Sequence, residues 1–330
     1  MVSKSYKKNI SEGKGLLILA ITFAVIMRIA DFFFNNGNSG TTEGGCLWTP
    51  LAPLFADHLY SLLASTILVA VIAILLAYIN GQYTVIRSRT LLPPAIGLLL
   101  FSCSPSFFTI SSDYVAAIII LYIIKIFFES YNEINKQQAA FRISFFLAIG
   151  SLFSPILIIY IPIIWIGLLI IRCFNFKAFL ATIFGFFIIY APVLSYFLLT
   201  QNIDAFLKPF TNLNLEDLAN IPILKYQTTD WIIFGMSILL LIIMFINSYF
   251  TSYKDKIRIR AYFRLLGLLI SFSLLLFLFL NISTQTNLYI TLIIVPFLLS
   301  HFLALTHEKW VTYLFYIYIL FYFFVIYSFL

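Results

Sequence analysis

Arg28 and Asp31 stand three residues apart in an otherwise apolar run that starts near residue 15. At that spacing a guanidinium and a carboxylate share one helix face. An ionised group inside a membrane-length apolar run marks a functional site by default. The competing reading is an internal ion pair near the helix end, or an arginine that snorkels outward. Further carboxylates follow. Glu43 and Asp57 lie in the polar stretch 35–58, and Asp113 closes the hydroxyl-rich stretch LFSCSPSFFTISSDY, residues 100–114. Lys208 and Lys225 lie among acidic residues in 201–230. Carboxylates act as general bases on hydroxyl acceptors, and Arg or Lys pairs with phosphate. The candidate acid–base residues are therefore Asp31, Glu43, Asp57 and Asp113, and the candidate phosphate contacts are Arg28, Lys208 and Lys225. Both residue types are common on any loop, so the elements that position them decide the matter.

Those elements are membrane helices. Of 330 residues 62% are hydrophobic and 10% charged, with a mean hydropathy of +1.03. Soluble domains carry about 25% charged residues. Apolar runs of about 18 residues or more recur, as spans require. Both faces of such runs are apolar, as in FGMSILLLIIMF at 234–245, which excludes the alternation of a transmembrane barrel. The expected fold is an all-α polytopic membrane protein forming one integral domain, 1–330, with spans at 15–34, 59–79, 91–110, 113–128, 143–153, 155–171, 178–199, 231–250, 265–281, 288–305 and 311–330. With the N-terminus cytoplasmic, 17 of the 20 Lys and Arg residues fall inside, leaving Arg28, Lys208 and Lys225 outside. That asymmetry sets the orientation. The net charge of +7 thus reports topology, and no nucleic-acid partner is implied.

Residues 143–171 lie between two basic segments and are too few for two full spans of about 20 residues each. A short hairpin that breaks near Gly150-Ser151 and Ser154-Pro155 satisfies both constraints. Its first limb, 143–153, would be about 16 Å long. The alternative is one tilted, kinked helix. Broken backbone at membrane depth must be buried in protein or line a wet cavity.

Two larger outer loops follow from this topology, 35–58 and 201–230. The first ends in LWTPLAPLFADH, where Trp48 and Phe55 suit the headgroup zone. The second is expected to form one or two short surface helices. Eight carboxylates fall outside and five inside. Asp113 sits at the outer mouth of the fourth span, in reach of a cavity shared with the hairpin.

The order of these parts resembles the GT-C fold of polytopic glycosyltransferases, which use lipid-phosphate sugar donors. The likeness covers about residues 15–200 and rests on Ser104-Pro105, Asp113, Gly150, Ser154-Pro155 and Pro162. It implies a catalytic carboxylate in the first outer loop, that is Asp31, Glu43 or Asp57, and a polyprenyl-phosphate-linked sugar as partner. Many members carry adjacent acidic residues there, and this loop has none. The adjacent pair Glu216-Asp217 stands in the other loop. The chain also resembles a family of uncharacterised bacterial multi-pass inner-membrane proteins. That likeness lies in AAFRISFFLAIGSLFSP, KDKIRIRAYFRLLGLL and IVPFLLSHFLALTHEKWVTYLFYIYIL. It implies residence in the envelope and no activity.

The remaining features add little. Three cysteines form no CxxC, and His58 lies outside while His301 and His307 lie inside, so no haem, zinc or nucleotide signature is present. A divalent metal stays open. Cys46 and Cys103 are both outside and are a candidate disulfide. The leading reading is a GT-C-like transfer on the outer face of the membrane. The rival is an envelope scaffold or assembly subunit that binds partner proteins. A transporter ranks last, because one interrupted segment without a repeat does not meet its pattern.

Overall fold

The computed structural model describes residues 14–34, 44–86, 90–211, 256–279 and 284–305, with isolated positions 235, 238, 239 and 242. Among these residues there is no β-strand. The helices are α1 (Lys14–Phe34), α2 (His58–Tyr83), α3 (Leu92–Leu100), α4 (Ser112–Glu129), α5 (Lys136–Phe153), α6 (Ile161–Ile170), α7 (Phe176–Leu199), α8 (Ile203–Thr211), α9 (Ile257–Phe279) and α10 (Thr284–Leu305). Short 3-10 turns cover Ala52–Phe55, Pro105–Phe107 and Pro155–Tyr160. Five helices are long and apolar enough to cross a bilayer: α1, α2, α7, α9 and α10. The molecule is a helical multi-pass membrane protein. The spans expected at 231–250 and 311–330 lie outside the fully described residues.

Besides 155–171, which splits into the Pro155–Tyr160 turn and α6, and 265–281, whose helix starts at Ile257, two expected spans differ from the helices observed. The stretch 91–110 is not one helix. Pro93 and Pro94 start α3, which stops after nine residues, and the chain then turns through Phe101–Ile110. Proline tolerates the first turn, where its missing N–H is not needed. The stop comes where hydroxyls and a proline cluster. Ser102 Oγ donates to Leu98 O at 2.7 Å, and Ser104 and Ser106 pair at 2.8 Å. The second difference is α5, which begins at Lys136 rather than 143. KQQAAFR consists of good helix formers apart from Phe141, so the helix extends into the basic segment. The limb is then 18 residues, or about 27 Å. It ends at Ser154, where Pro155 follows and Ser154 is extended.

The helices alternate between two ends. At one end Arg258 Nη2 and the Tyr262 hydroxyl both donate to Phe128 O, at 3.0 and 2.6 Å. Lys125 and Arg142 flank Glu129 at 3.6 and 3.4 Å, and Asn132 N donates to Ile171 O at 3.2 Å. At the opposite end lie the close of α1, the start of α2, the 101–111 turn, the close of α5 and the start of α10. Helix α10 is the centre: its apolar stretch is 94% buried, against 17% for α7. It packs on α3, α4 and α9.

The segment 44–57 is clasped onto α5. Gly45 N donates to Phe153 O at 2.6 Å and Leu47 N to Leu152 O at 3.1 Å. These donors satisfy carbonyls that a helix C-terminus leaves open. Gly45 is required there, because a Cβ would overlap Leu152 O. Trp48 does not sit at an interface as its type suggested. It is buried with Ala52 and Ile110 and stacks on Phe55. Of the second loop, α8 is described and lays Phe206 against Phe197 and Tyr190.

Candidate functional site

Three of the candidate residues are buried together. Arg28 is 6% exposed, Asp31 5% and Asp113 8%. They come from α1 and the first turn of α4, and the 101–111 turn brings those elements together. That turn is held by α2. Ser65 Oγ donates to Phe108 O at 2.6 Å, and Ile110 N donates to Ser61 Oγ at 2.9 Å. Ser61 and Ser65 share one helix face four residues apart. With Phe108 so fixed, the Arg28 guanidinium lies over its ring, 5.3 Å from the centroid. This is the attraction of a cation to a ring face.

Two tyrosines link Arg28 to Asp113. Tyr114 and Tyr289 cross edge to face with centroids 4.8 Å apart. The Tyr114 hydroxyl donates to Phe107 O, and the Tyr289 hydroxyl reaches Ser106 O at 3.4 Å. Arg28 lies near the Tyr114 and Tyr289 hydroxyls and the Asp31 carboxylate. Asp31 Oδ2 in turn lies 3.7 Å from His58 Nε2, at the start of α2. The His58 ring stacks on Phe32 with centroids 6.3 Å apart. Arg28 Nε and Nη2 are buried and meet no acceptor among the described residues.

Asp113 is held from the far side of the molecule. The Thr286 hydroxyl, in the first turn of α10, donates to Asp113 Oδ1. Thr286 Oγ1 is also 3.2 Å from Ser154 Oγ, at the break after α5. A carboxylate only accepts, so the single Thr286 proton points at Asp113 and Ser154 must donate to Thr286. The relay Ser154–Thr286–Asp113 thus joins the helix break, α10 and α4.

The other candidates stand apart. Asp57 precedes α2 and is exposed, with no side-chain cap bond. Lys208 is exposed on α8. Glu43 and Lys225 lie outside the described residues. Cys46 and Cys103 are free, buried thiols, so the candidate disulfide is not formed. Cys103 Sγ points back to Leu99 O at 2.9 Å, and burial raises the Cys46 thiol above its usual value. Among the described residues no three His, Cys, Asp or Glu side chains gather to hold a metal.

Sequence reasoning missed Tyr114, Thr286, Tyr289 and the Ser61/Ser65 pair. The polar run TQTN opening an apolar helix, and two serines four apart in another, were the available signals.

An apolar cavity of ≈ 440 Å³ runs beside this cluster, between α1, α2 and α3. Arg28 lines it, together with Ile21, Val25, Ala70, Ile74 and Leu98 among others. No family model, curated protein or solved structure matches this chain.

Proposed function

We propose that this chain is an eleven-pass protein of the bacterial inner membrane with its N-terminus cytoplasmic. In this reading it works as a GT-C-like glycosyltransferase, moving a sugar from a lipid-phosphate carrier on the outer face. The observation that carries the reading is the burial of Arg28, Asp31 and Asp113 in one cluster at the edge of an apolar cavity. Arg28 sits where a leaving phosphate is stabilised, and Asp31 is the base nearest to it in sequence on the same face. The acceptor hydroxyl gives its proton to Asp31 while its oxygen bonds the anomeric carbon. The bond from that carbon to the phosphate oxygen breaks, and the phosphate leaves with the electron pair onto Arg28. Asp113 is oriented by Thr286 at the start of α4. The exposed Asp57 and Lys208 take no part.

The test is a deletion strain whose envelope glycans and lipid-linked sugars are read by mass spectrometry. Wild type and Asp57→Asn restore the lost species, and Asp31→Asn at equal expression does not. An unchanged profile in the deletion strain, or full rescue by Asp31→Asn, rules out the transfer. The scaffold reading would then take its place and be pursued through partner capture.

A further inference from the structure

Helix α9 packs on α10 and α6 and turns one face away from both. Ile257, Arg264, Ser271 and Leu275 are exposed on that face, with Arg260 and Gly267 half-buried among them. These positions recur every three or four residues, so they form one stripe along the helix. Because α9 is long and apolar enough to span, the stripe faces lipid. Two of its members are cations. Arg260 and Arg264 stand four apart, one above the other, and like charges at that spacing repel. No carboxylate occurs in α9 to offset them. The ion pairs of this end, Lys125 and Arg142 with Glu129, leave both arginines out. Arg258 lies off the stripe and is spent on Phe128 O and the Tyr262 hydroxyl.

Depth makes the pair unusual. The part of the span beyond Arg264, as far as Leu278, is about 21 Å long. A hydrocarbon core of about 30 Å therefore reaches past Arg264 toward Arg260. Phe263 beside it packs on His301 of α10, with ring centroids 4.1 Å apart, so this level of α9 is fixed in the bundle. Both arginines must reach outward along the helix to the phosphate layer. Arg260 Nε is buried, so contact falls to the terminal Nη1 and Nη2 groups. One turn deeper than Arg264 comes Gly267, where a Cβ would meet nothing within 4 Å. Glycine disfavours a helix interior, and here it leaves an open notch on the lipid face.

We propose that the outward stripe of α9 binds an anionic phospholipid of the bilayer, its phosphodiester between Arg260 and Arg264 and one acyl chain in the notch at Gly267. Charge and depth select this occupant together. A zwitterionic lipid carries its own cation beside the phosphate and gains less from two arginines. A soluble anion can meet the guanidinium groups but has nothing to lay along Gly267 and Leu275. The site lies at the Glu129 end, opposite the Arg28 cluster, and does not rest on the transfer reading.

The full chain, purified in detergent and delipidated, tests this. It is offered phosphatidylglycerol and phosphatidylcholine with identical acyl chains, and native mass spectrometry reads the lipid retained. Phosphatidylglycerol is retained on the order of tenfold better. The double variant Arg260→Gln with Arg264→Gln removes that preference. Arg172→Gln with Lys177→Gln takes the same charge from two exposed residues of the same end and keeps it. Gly267→Leu fills the notch with both arginines intact and weakens retention of phosphatidylglycerol severalfold. It keeps the test decisive if the arginine variants fail to fold. Inorganic phosphate at equal concentration does not displace the lipid. Equal retention of the two lipids, the same loss of preference in both double variants, displacement by inorganic phosphate, or unchanged retention by Gly267→Leu each overturns the proposal.

Discussion

Thr286→Val tests the relay that fixes Asp113. Valine keeps the shape of threonine and removes its hydroxyl. Two groups are affected. Asp113, 8% exposed, loses a donor, and Ser154, 2% exposed, loses its acceptor. Stranding a buried polar group costs about 1–3 kcal/mol, and bonds to charged groups lie toward the upper end. The expected cost of Thr286→Val is therefore about 3 kcal/mol. Ser154→Ala alone costs about 1 kcal/mol, because Thr286 keeps its bond to Asp113. The double variant is milder than the sum, since no hydroxyl is left stranded at Ser154. A coupling of about 1 kcal/mol is expected for residues in one network. The assay is reversible unfolding of purified full-length protein in detergent micelles, with the four members of the cycle side by side. Strict additivity within about 0.5 kcal/mol, with Thr286→Val nearly neutral, would refute the relay.

Other outcomes follow from single contacts. Gly185→Ala places a Cβ on Ser144 Oγ where α5 and α7 pack closely, so it destabilises by roughly 1–3 kcal/mol in the same unfolding assay. Thr84 caps α2 at φ 45°, a region costly for a β-branched residue, so Thr84→Gly stabilises by about 1 kcal/mol. The Cys46 and Cys173 thiols are raised chiefly by burial, so less thiolate is present at any pH below the raised values. Maleimide labelling of both in folded protein should lag a model thiol at pH 8 and catch up on denaturation. Fast labelling at that pH would contradict the burial.

Much of the architecture was legible because membrane spans announce themselves locally. A run such as LLILAITFAVIM is apolar throughout but for one threonine, and α1, α2, α7 and α10 fall where hydropathy places them, while α9 starts eight residues before its expected span. The Ser154-Pro155 break was also legible, since proline stops a helix by its own geometry. The extent of α5 was not. KQQAAFR reads as loop by charge, yet it continues as helix because its residues favour that state and pack at the Glu129 end.

The candidate site divides in the same way. Composition alone flagged Arg28, Asp31 and Asp113, because an ionised group in an apolar chain needs a reason to be there. Composition flagged Asp57 and Lys208 equally, and nothing local separated the two sets. Burial separates them, and burial follows from which helices meet. Thr286 stands 173 positions after Asp113, and Tyr289 reaches Ser106 across 183. The sequence by itself therefore determined that this is a helical membrane protein and which ionisable residues are unusual. The tertiary structure alone decided which of them converge, because their solvation and partners come from helices remote in the chain.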